Sequence, residues 1–521
     1  MTSDAVLPKN LLILGTCTLL AVFLGYALTD PFVFQNLTAI GLVIFTISLP
    51  IWLRWHQVLM LIFWNSTLVA FFLPGMAPIW VPAACVSLMF SIIKRTLLKE
   101  QVFISVPELS LPLIILFGVV FITGMINGGL MGGRALGSET WGAKRYYTTF
   151  GAIIGFFAFT AFKIPREKAM LYSGLFILSG VVSAGSDLVY QLGPKFYYLY
   201  MLFNPELAGQ QATTQDLLNR LTGVSWAASA VIYFMIMKYG IRGIFDITKF
   251  WRILIMLGLL VLSMVGGYRS VIILTIIIFI VQFYYEGLFR TVFFVVFSVM
   301  IGFSFFLLCA FADRLPLSIQ RSISFLPVNI DQVAKADANS TVEWRLHMWK
   351  VVLPEVPKYL ILGKGYKFSG VDYELTLQAV QRNVYDSFEH ILISGNYHNG
   401  WLTILIPFGI FGLLAFLWFV WKGYRALYHN YIYSPPDLKR INSFILSLFV
   451  SRVIFYLTFY GQFDLDLQVF TGLVGFSIAL NHGIRVAKPV PETEEKALPV
   501  TEGKTKAAQV LVPPAVRSFR T

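Results

Sequence analysis

Charge is scarce in this chain. Asp, Glu, Lys and Arg make up 13% of its 521 residues, while 57% are hydrophobic. Soluble domains carry about a quarter charged residues, so a water-soluble globular fold is excluded. Cysteine is scarcer still. Cys17, Cys85 and Cys309 each fall inside an apolar run, which excludes a disulfide framework and a C-x-x-C metal or redox pair. Strict period-two alternation is absent, which excludes a transmembrane barrel. The N-terminus lacks the charged stretch and small-residue cleavage site of a removable signal peptide, so the first apolar run is expected to remain as a membrane helix. No internal repeat is evident.

What is present is apolar length. Runs near 10–28, 32–53, 57–73, 78–93, 110–126, 146–162, 168–184, 222–237, 251–266, 270–285, 289–311, 400–421, 441–460 and 467–483 approach or reach the length that crosses a bilayer as a helix. The Pro74–Pro82 region and the 467–483 run also fit re-entrant or interfacial segments. The expected fold is therefore an all-α polytopic membrane protein of about 12–14 transmembrane helices, with one large outer loop carrying short helices.

Basic residues orient these spans. With the N-terminus cytoplasmic, the loops assigned to the cytoplasm hold 16 Lys and Arg against five acidic residues, whereas 313–397 holds nine of each. The positive-inside rule puts 313–397 outside and both termini in the cytoplasm. The expected organisation is a helical membrane region at 1–312 with about 11 spans, a large periplasmic loop at 313–397, about three further spans at 398–483, and a disordered cytoplasmic tail at 484–521. Two further polar stretches, 127–145 and 185–220, fall on the outer side.

Within the large loop, Ser340-Thr-Val-Glu343 has the form of a capping box. Apolar residues at 342, 346, 349 and 352 give the helix that follows one buried face, and Pro354 and Pro357 stop it. Arg345 would then sit near a helix N-terminus, where anions are favoured. Gly363-Lys364-Gly365 reads as a tight turn.

Three side chains on the outer face carry potential chemistry. Arg269 follows Gly266-Gly267-Tyr268 at the mouth between two spans, where it is either a snorkelling anchor or a bidentate anion ligand. Arg345 alone is an ordinary charge on a surface helix. His398, in Tyr397-His398-Asn399, is alone an ordinary interfacial histidine. Converging on one pocket, the arginines would neutralise a diphosphate and the histidine, with an ordinary pKa near 6.5, would stand beside it as a base. Asp464-Leu-Asp466 has the D-x-D form that binds a divalent cation in metal-dependent sugar transferases, and also reads as an interfacial acidic pair. Arg134, Lys144 and Arg145 add outer positive charge that attracts anionic lipid-linked substrate or is simply solvated.

Taken together, Gly267-Tyr-Arg269-Ser, Glu343-Trp-Arg345-x-x-x-Trp349-x-x-x-x-Pro354, Leu362-Gly363-x-Gly365 and His398-Asn399-x-x-Leu402 leading into Gly409-Ile-Phe-Gly412 resemble the O-antigen ligase and polymerase superfamily. The resemblance covers roughly 260–420 by motif. It implies a bacterial inner-membrane enzyme that takes a glycan from undecaprenyl diphosphate on the periplasmic side. Arg269 and Arg345 would match the family's diphosphate-binding arginines and His398 its general base, with Tyr268, Trp349, Gly363, Gly365 and Asn399 in support. The implied chemistry is inverting and metal-independent, without a cofactor. The expected activity is O-antigen ligation to lipid A core, a polymerase extending O-antigen or exopolysaccharide repeats is the alternative, and a transporter or flippase is the alternative of another class. The expected partners are the undecaprenyl-diphosphate-linked glycan, lipid A core or a growing glycan as acceptor, and membrane lipid, with no nucleic acid.

Overall fold

A computed structural model describes residues 9–30, 34–73, 75–98, 103–132, 138–208, 220–382, 384–385 and 389–486. Arg134 and the expected tail beyond Val486 lie outside the described residues.

The long helices are α1 (Lys9–Ala27), α2 (Phe34–Trp64), α3 (Trp80–Leu98), α4 (Pro107–Asn127), α5 (Ala143–Thr160), α6 (Ala169–Leu178), α7 (Ala184–Leu192), α8 (Thr222–Ile244), α9 (Trp251–Met264), α10 (Arg269–Tyr285) and α11 (Val292–Phe311). The large loop contributes α12 (Leu317–Ser322), α13 (Gln332–Val352), α14 (Val356–Tyr359), α15 (Gly370–Gln381) and α16 (Glu389–Ser394). Then come α17 (Leu402–Ile432), α18 (Pro436–Thr458) and α19 (Phe463–Asn481). The only described strands are two-residue pairs, Val69–Ala70 with Ala77–Pro78 and Thr140–Trp141 with Phe368–Ser369. The protein is an all-α polytopic membrane protein. Among the described residues, nine helices are long and apolar enough to cross a bilayer, and three shorter apolar helices bring the total to the lower end of the expected range.

Two expected spans, 32–53 and 57–73, are joined in α2, whose backbone leaves helical geometry at Trp55. The two halves fold back on each other. Trp52 meets Phe63 at 6.2 Å between ring centroids, and the Thr38 hydroxyl donates to the Phe72 carbonyl at 3.2 Å. The second half stops at Trp64 rather than near 73, because Asn65-Ser66 turns the chain and the Ser66 hydroxyl accepts the Leu68 N–H at 3.2 Å.

In lipid, helices associate through close packing and polar contacts rather than through exclusion of apolar surface from water. Both devices are visible. Trp64 is fully buried and lies against Gly155 of α5 and Gly472 of α19, where a Cβ would overlap its indole. Asn442 of α18 and Asn481 of α19 exchange amide hydrogen bonds of 2.9 and 2.8 Å, and Asn430 of α17 donates to Ser477 at 3.1 Å. By contrast, no residue of α11 is fully buried, and Phe293, Phe297 and Leu308 pack only partly on the core.

The polar connections gather at one end of this bundle. The strand pair Thr140–Trp141 with Phe368–Ser369 ties the 127–142 connection to the large loop. Lys144 pairs with Glu206 at 3.3 Å, and Arg220 pairs with Asp337 at 2.9 Å. The three stretches expected on one face thus meet there.

Candidate active site

The helix bearing Arg345 begins earlier than the capping box implies. Asp331 is the N-cap and accepts the Val333 N–H at 2.7 Å, and α13 continues without a break through Ser340. Residues 332–339 include three alanines and a lysine, which favour helix. Arg345 is therefore in the interior of a 21-residue helix, and the expected gain from a helix N-terminus is absent. The buried face also differs. Ala334, Ala338, Met348 and Val352 are buried, while Val342 and Leu346 are 42% and 49% exposed. The larger apolar residues alone do not mark this face; Ala334 and Ala338 complete the buried stripe.

That stripe packs on the segment that carries His398. Met348, Val352, Tyr397, Leu402 and Ile406 form one cluster, flanked by Trp344 and Trp349. The Trp349 indole donates to the Tyr397 carbonyl at 2.8 Å, which fixes the backbone immediately before His398. Asn399 starts α17: its side chain accepts from the N–H groups of Trp401 and Leu402 at 3.0 and 3.2 Å. His398 between them has φ +49°, a left-handed conformation that a non-glycine residue adopts at a cost and that often marks a functional position.

The glycine turn positions the same segment from the other side. Lys364 and Gly365 donate to the carbonyls of Ile406 and Pro407 at 2.8 and 2.9 Å, and Ile410 donates back to Leu360 at 2.7 Å. These bonds satisfy backbone released where α17 breaks at Gly409 (φ +63°). Gly363 (φ +70°) lies so close that a Cβ would overlap the Pro407 carbonyl. Gly365 (φ +72°) would put a Cβ 2.6 Å from the Tyr146 hydroxyl.

Arg269, Arg345 and His398 line one cavity of about 770 Å³, with Tyr268 in its wall. Two arginines that sequence reasoning missed join them, Arg220 and Arg321. Each gives only a weak sequence signal, being one basic residue in a polar stretch near a span end. Asp337 is the hub: Arg220 pairs with it at 2.9 Å, and Arg321, itself buried, pairs with it more closely. Arg321 also donates to the Gly267 carbonyl and, at 3.1 Å, to the Thr341 hydroxyl. Arg269 reaches across to the Ala338 carbonyl at 2.7 Å. It is thereby tied to protein, not free to snorkel.

Arg345 is different. Among the described residues it makes no ion pair, and its buried Nε has no hydrogen-bond partner. Its guanidinium lies 5.5 Å from the Trp344 ring and 5.7 Å from Tyr460. Burial, with Arg269 and Arg321 nearby, pulls its pKa below the usual value although Tyr460 opposes this. For Arg220 burial acts likewise, with Arg321 adding to it and Asp337 opposing. Four guanidiniums face two carboxylates here, Asp337 and Glu343, so the cavity carries net positive charge and favours an anion.

His398 packs its ring between Trp344 and Tyr460, at 5.3 and 5.1 Å. Its Nδ1 is buried without a hydrogen-bond partner. Burial first, then the guanidiniums of Arg345 and Arg145, push its pKa down to about 3. The imidazole is neutral at pH 7 and can take a proton.

The acidic pair Asp464–Asp466 meets arginines. Asp464 lies 3.3 Å from Arg145, and Asp466 lies 4.0 Å from Arg452 while accepting the Gln462 N–H at 2.8 Å. Arg145 also donates to the Ser394 carbonyl at 2.7 Å, so it braces the 391–398 segment rather than standing in solvent. Among the described residues, no group of three or more His, Cys, Asp or Glu side chains is placed to hold a metal ion.

Residues 251–417 match the family model described as O-antigen ligase. The chain carries an O-antigen ligase domain. The match over this third of the chain supports the O-antigen ligase and polymerase superfamily, which implies a glycosyltransferase-like membrane enzyme. The ligase domain runs from the start of α9 into α17 and contains Arg269, Arg321, Asp337, Arg345 and His398, whereas Arg220 precedes it. A search of curated proteins finds no match to the chain.

Proposed function

We propose that this enzyme transfers a glycan from undecaprenyl diphosphate to an acceptor hydroxyl at the periplasmic face of the bacterial inner membrane, ligating O-antigen to lipid A core. The observation that carries the reading is the shared cavity: four arginines, only two nearby carboxylates and a neutral histidine meet at the end of the bundle where the large loop lies. A doubly charged lipid diphosphate matches that excess of positive charge. The ligase domain supports a lipid-linked glycan as donor.

In this mechanism the acceptor oxygen forms its bond to the anomeric carbon from the face opposite the diphosphate. The bond from that carbon to the phosphate oxygen breaks, which inverts the configuration. The hydroxyl proton passes to His398. The bond electrons remain on the diphosphate, where Arg345 and Arg269 stabilise the growing charge. Preorganised stabilisation of this kind is often the largest catalytic contribution. A bound diphosphate also offsets the positive field around His398 and raises its basicity during the reaction. No step requires a metal ion.

The segment 391–398 forms part of two cavities. Ile391 and His398 face the arginine cavity, while Ser394 and Asn396 line a second one of about 740 Å³ beside Trp141 and Arg145. We assign the first to the donor and the second to the approaching acceptor.

The test is transfer from a synthetic undecaprenyl-diphosphate glycan to lipid A core by the purified enzyme, with and without EDTA. Product in both conditions, lost on His398→Ala, supports the reading. Elongation of the lipid-linked glycan without transfer to core identifies a polymerase and overturns ligation. Activity that EDTA abolishes and Mg²⁺ restores overturns the metal-free mechanism.

A further inference from the structure

Helices α8 and α10 both begin beside the arginine cavity and both end at another, larger one. The 17 residues of α10 and the stretch of α8 before its break at Gly240 separate the two sites by about 25 Å at 1.5 Å per residue. The far cavity measures about 1350 Å³ and is lined by Lys238, Arg242, Lys249, Arg252, Lys439 and Arg440.

Two carboxylates, Asp246 and Glu286, line it as well. Neither is paired with a cation among the described residues. Glu286 accepts from the Ile241 and Arg242 backbone N–H groups at 2.8 and 3.3 Å and from the Gln282 amide at 2.8 Å. Its place depends on Gly240, whose φ of +66° breaks α8 and turns those N–H groups outward. Asp246 accepts from the Thr248 N–H and hydroxyl at 3.0 and 2.7 Å. Both acids are thus held by neutral donors, and none of the six cations has an ion-pair partner among the described residues. Arg252 stacks on Tyr239 at 4.0 Å and donates one N–H to the Gly243 carbonyl at 2.8 Å, while its buried Nε has no partner.

The opposite wall is apolar. Phe293, Val296 and Met300 of α11, with Phe245 and Met170, complete the cavity. Phe293 and Phe297 of α11 pack on the core, while Phe294, Val295, Val296 and Val299 are 46–66% exposed, so this wall opens towards the bilayer. A purely aqueous anion would leave it wet, whereas an amphiphile would cover it.

We propose that this cavity binds one anionic phospholipid, its phosphate among the six cations and an acyl chain along α11. Basic pockets between transmembrane helices hold anionic headgroups in this way. The site lies at the opposite end of α8 and α10 from the glycan-transfer cavity and is independent of the donor and acceptor assigned there.

The test uses the full chain in detergent, titrated with phosphatidylglycerol, phosphatidylcholine or inorganic phosphate and read by native mass spectrometry. The expected result is one retained phosphatidylglycerol and no retained phosphatidylcholine. The triple variant K238Q/R242Q/K249Q, all at exposed positions, should weaken phosphatidylglycerol by about a hundredfold, given the contribution of each cation near an anionic headgroup. Val296→Trp, which fills the apolar end and leaves every charge in place, should also expel the lipid. Equal retention of phosphatidylcholine, or unchanged phosphatidylglycerol in the triple variant, overturns the proposal. Phosphate binding that survives Val296→Trp, with no lipid retained by the parent, overturns it in favour of a free-anion site.

Discussion

Arg345→Gln separates the proposed roles of the site in one variant. The glutamine keeps a polar, hydrogen-bonding side chain but removes the charge. If Arg345 stabilises the departing diphosphate, losing one preorganised donor should lower kcat by about 10²–10³, or about 2.7–4 kcal/mol. The other three arginines make this an upper figure. A second effect has a fixed sign. Arg345 is one of the groups that depress His398, after burial itself. In the parent, the acid limb of kcat/KM, which reports the free enzyme, should fall far below the ordinary histidine value of about 6.5. In the variant, one positive neighbour is gone, protonation becomes easier, and the limb should move up towards 6.5 without reaching it, since burial remains. Stability should not suffer. The Arg345 Nε is buried without a partner, so removing a partly buried charge that no carboxylate balances leaves the thermal midpoint unchanged or raises it. Steady-state transfer across pH, with differential scanning fluorimetry on the same preparations, measures all three effects. A loss of activity with an unmoved acid limb would refute the coupling of Arg345 to His398. Activity within a fewfold of the parent would refute its role at the diphosphate.

His398→Asn keeps a residue type that tolerates a left-handed backbone, so the thermal midpoint should hold while transfer falls by about 10²–10⁴, the usual worth of a general base. Near-parental transfer by this variant would remove His398 from the chemistry. Gly363→Ala must place a Cβ against the Pro407 carbonyl at φ +70°, adding at least the left-handed penalty of about 1–2 kcal/mol. Its thermal midpoint should drop measurably, and an unchanged midpoint would show that the turn does not clamp α17.

Much of the fold was legible because lipid imposes simple demands. Each span needs apolar length, and alternate connections show an excess of lysine and arginine. What escaped was local. Ser340 and Glu343 match a cap signature, whereas the backbone starts α13 at Asp331, nine residues earlier. The fold-back at Trp55 could be inferred from two adjacent apolar runs, but the end of its second half depended on Ser66. In the site, the sequence pointed to Arg269, Arg345 and His398 through their motifs. Arg220 and Arg321 carried no such pattern. They became visible only through Asp337, since a carboxylate more than a hundred residues from Arg220 in sequence says nothing until folding brings the two to 2.9 Å.

The arrangement of those arginines also explains why two of them are candidates for substrate and two are not. Arg220 and Arg321 share Asp337, so much of their charge is already balanced and their positions are fixed. Arg269 is held through a backbone carbonyl and makes no ion pair among the described residues. Arg345 is held by neither carboxylate nor carbonyl among the described residues, only by aromatic faces. A cavity built to be stable without ligand would have neutralised those last two charges. Their survival beside a histidine that burial and the same field keep neutral is what a departing diphosphate requires: cations in place before the charge develops, and a base that gains strength when the anion is bound.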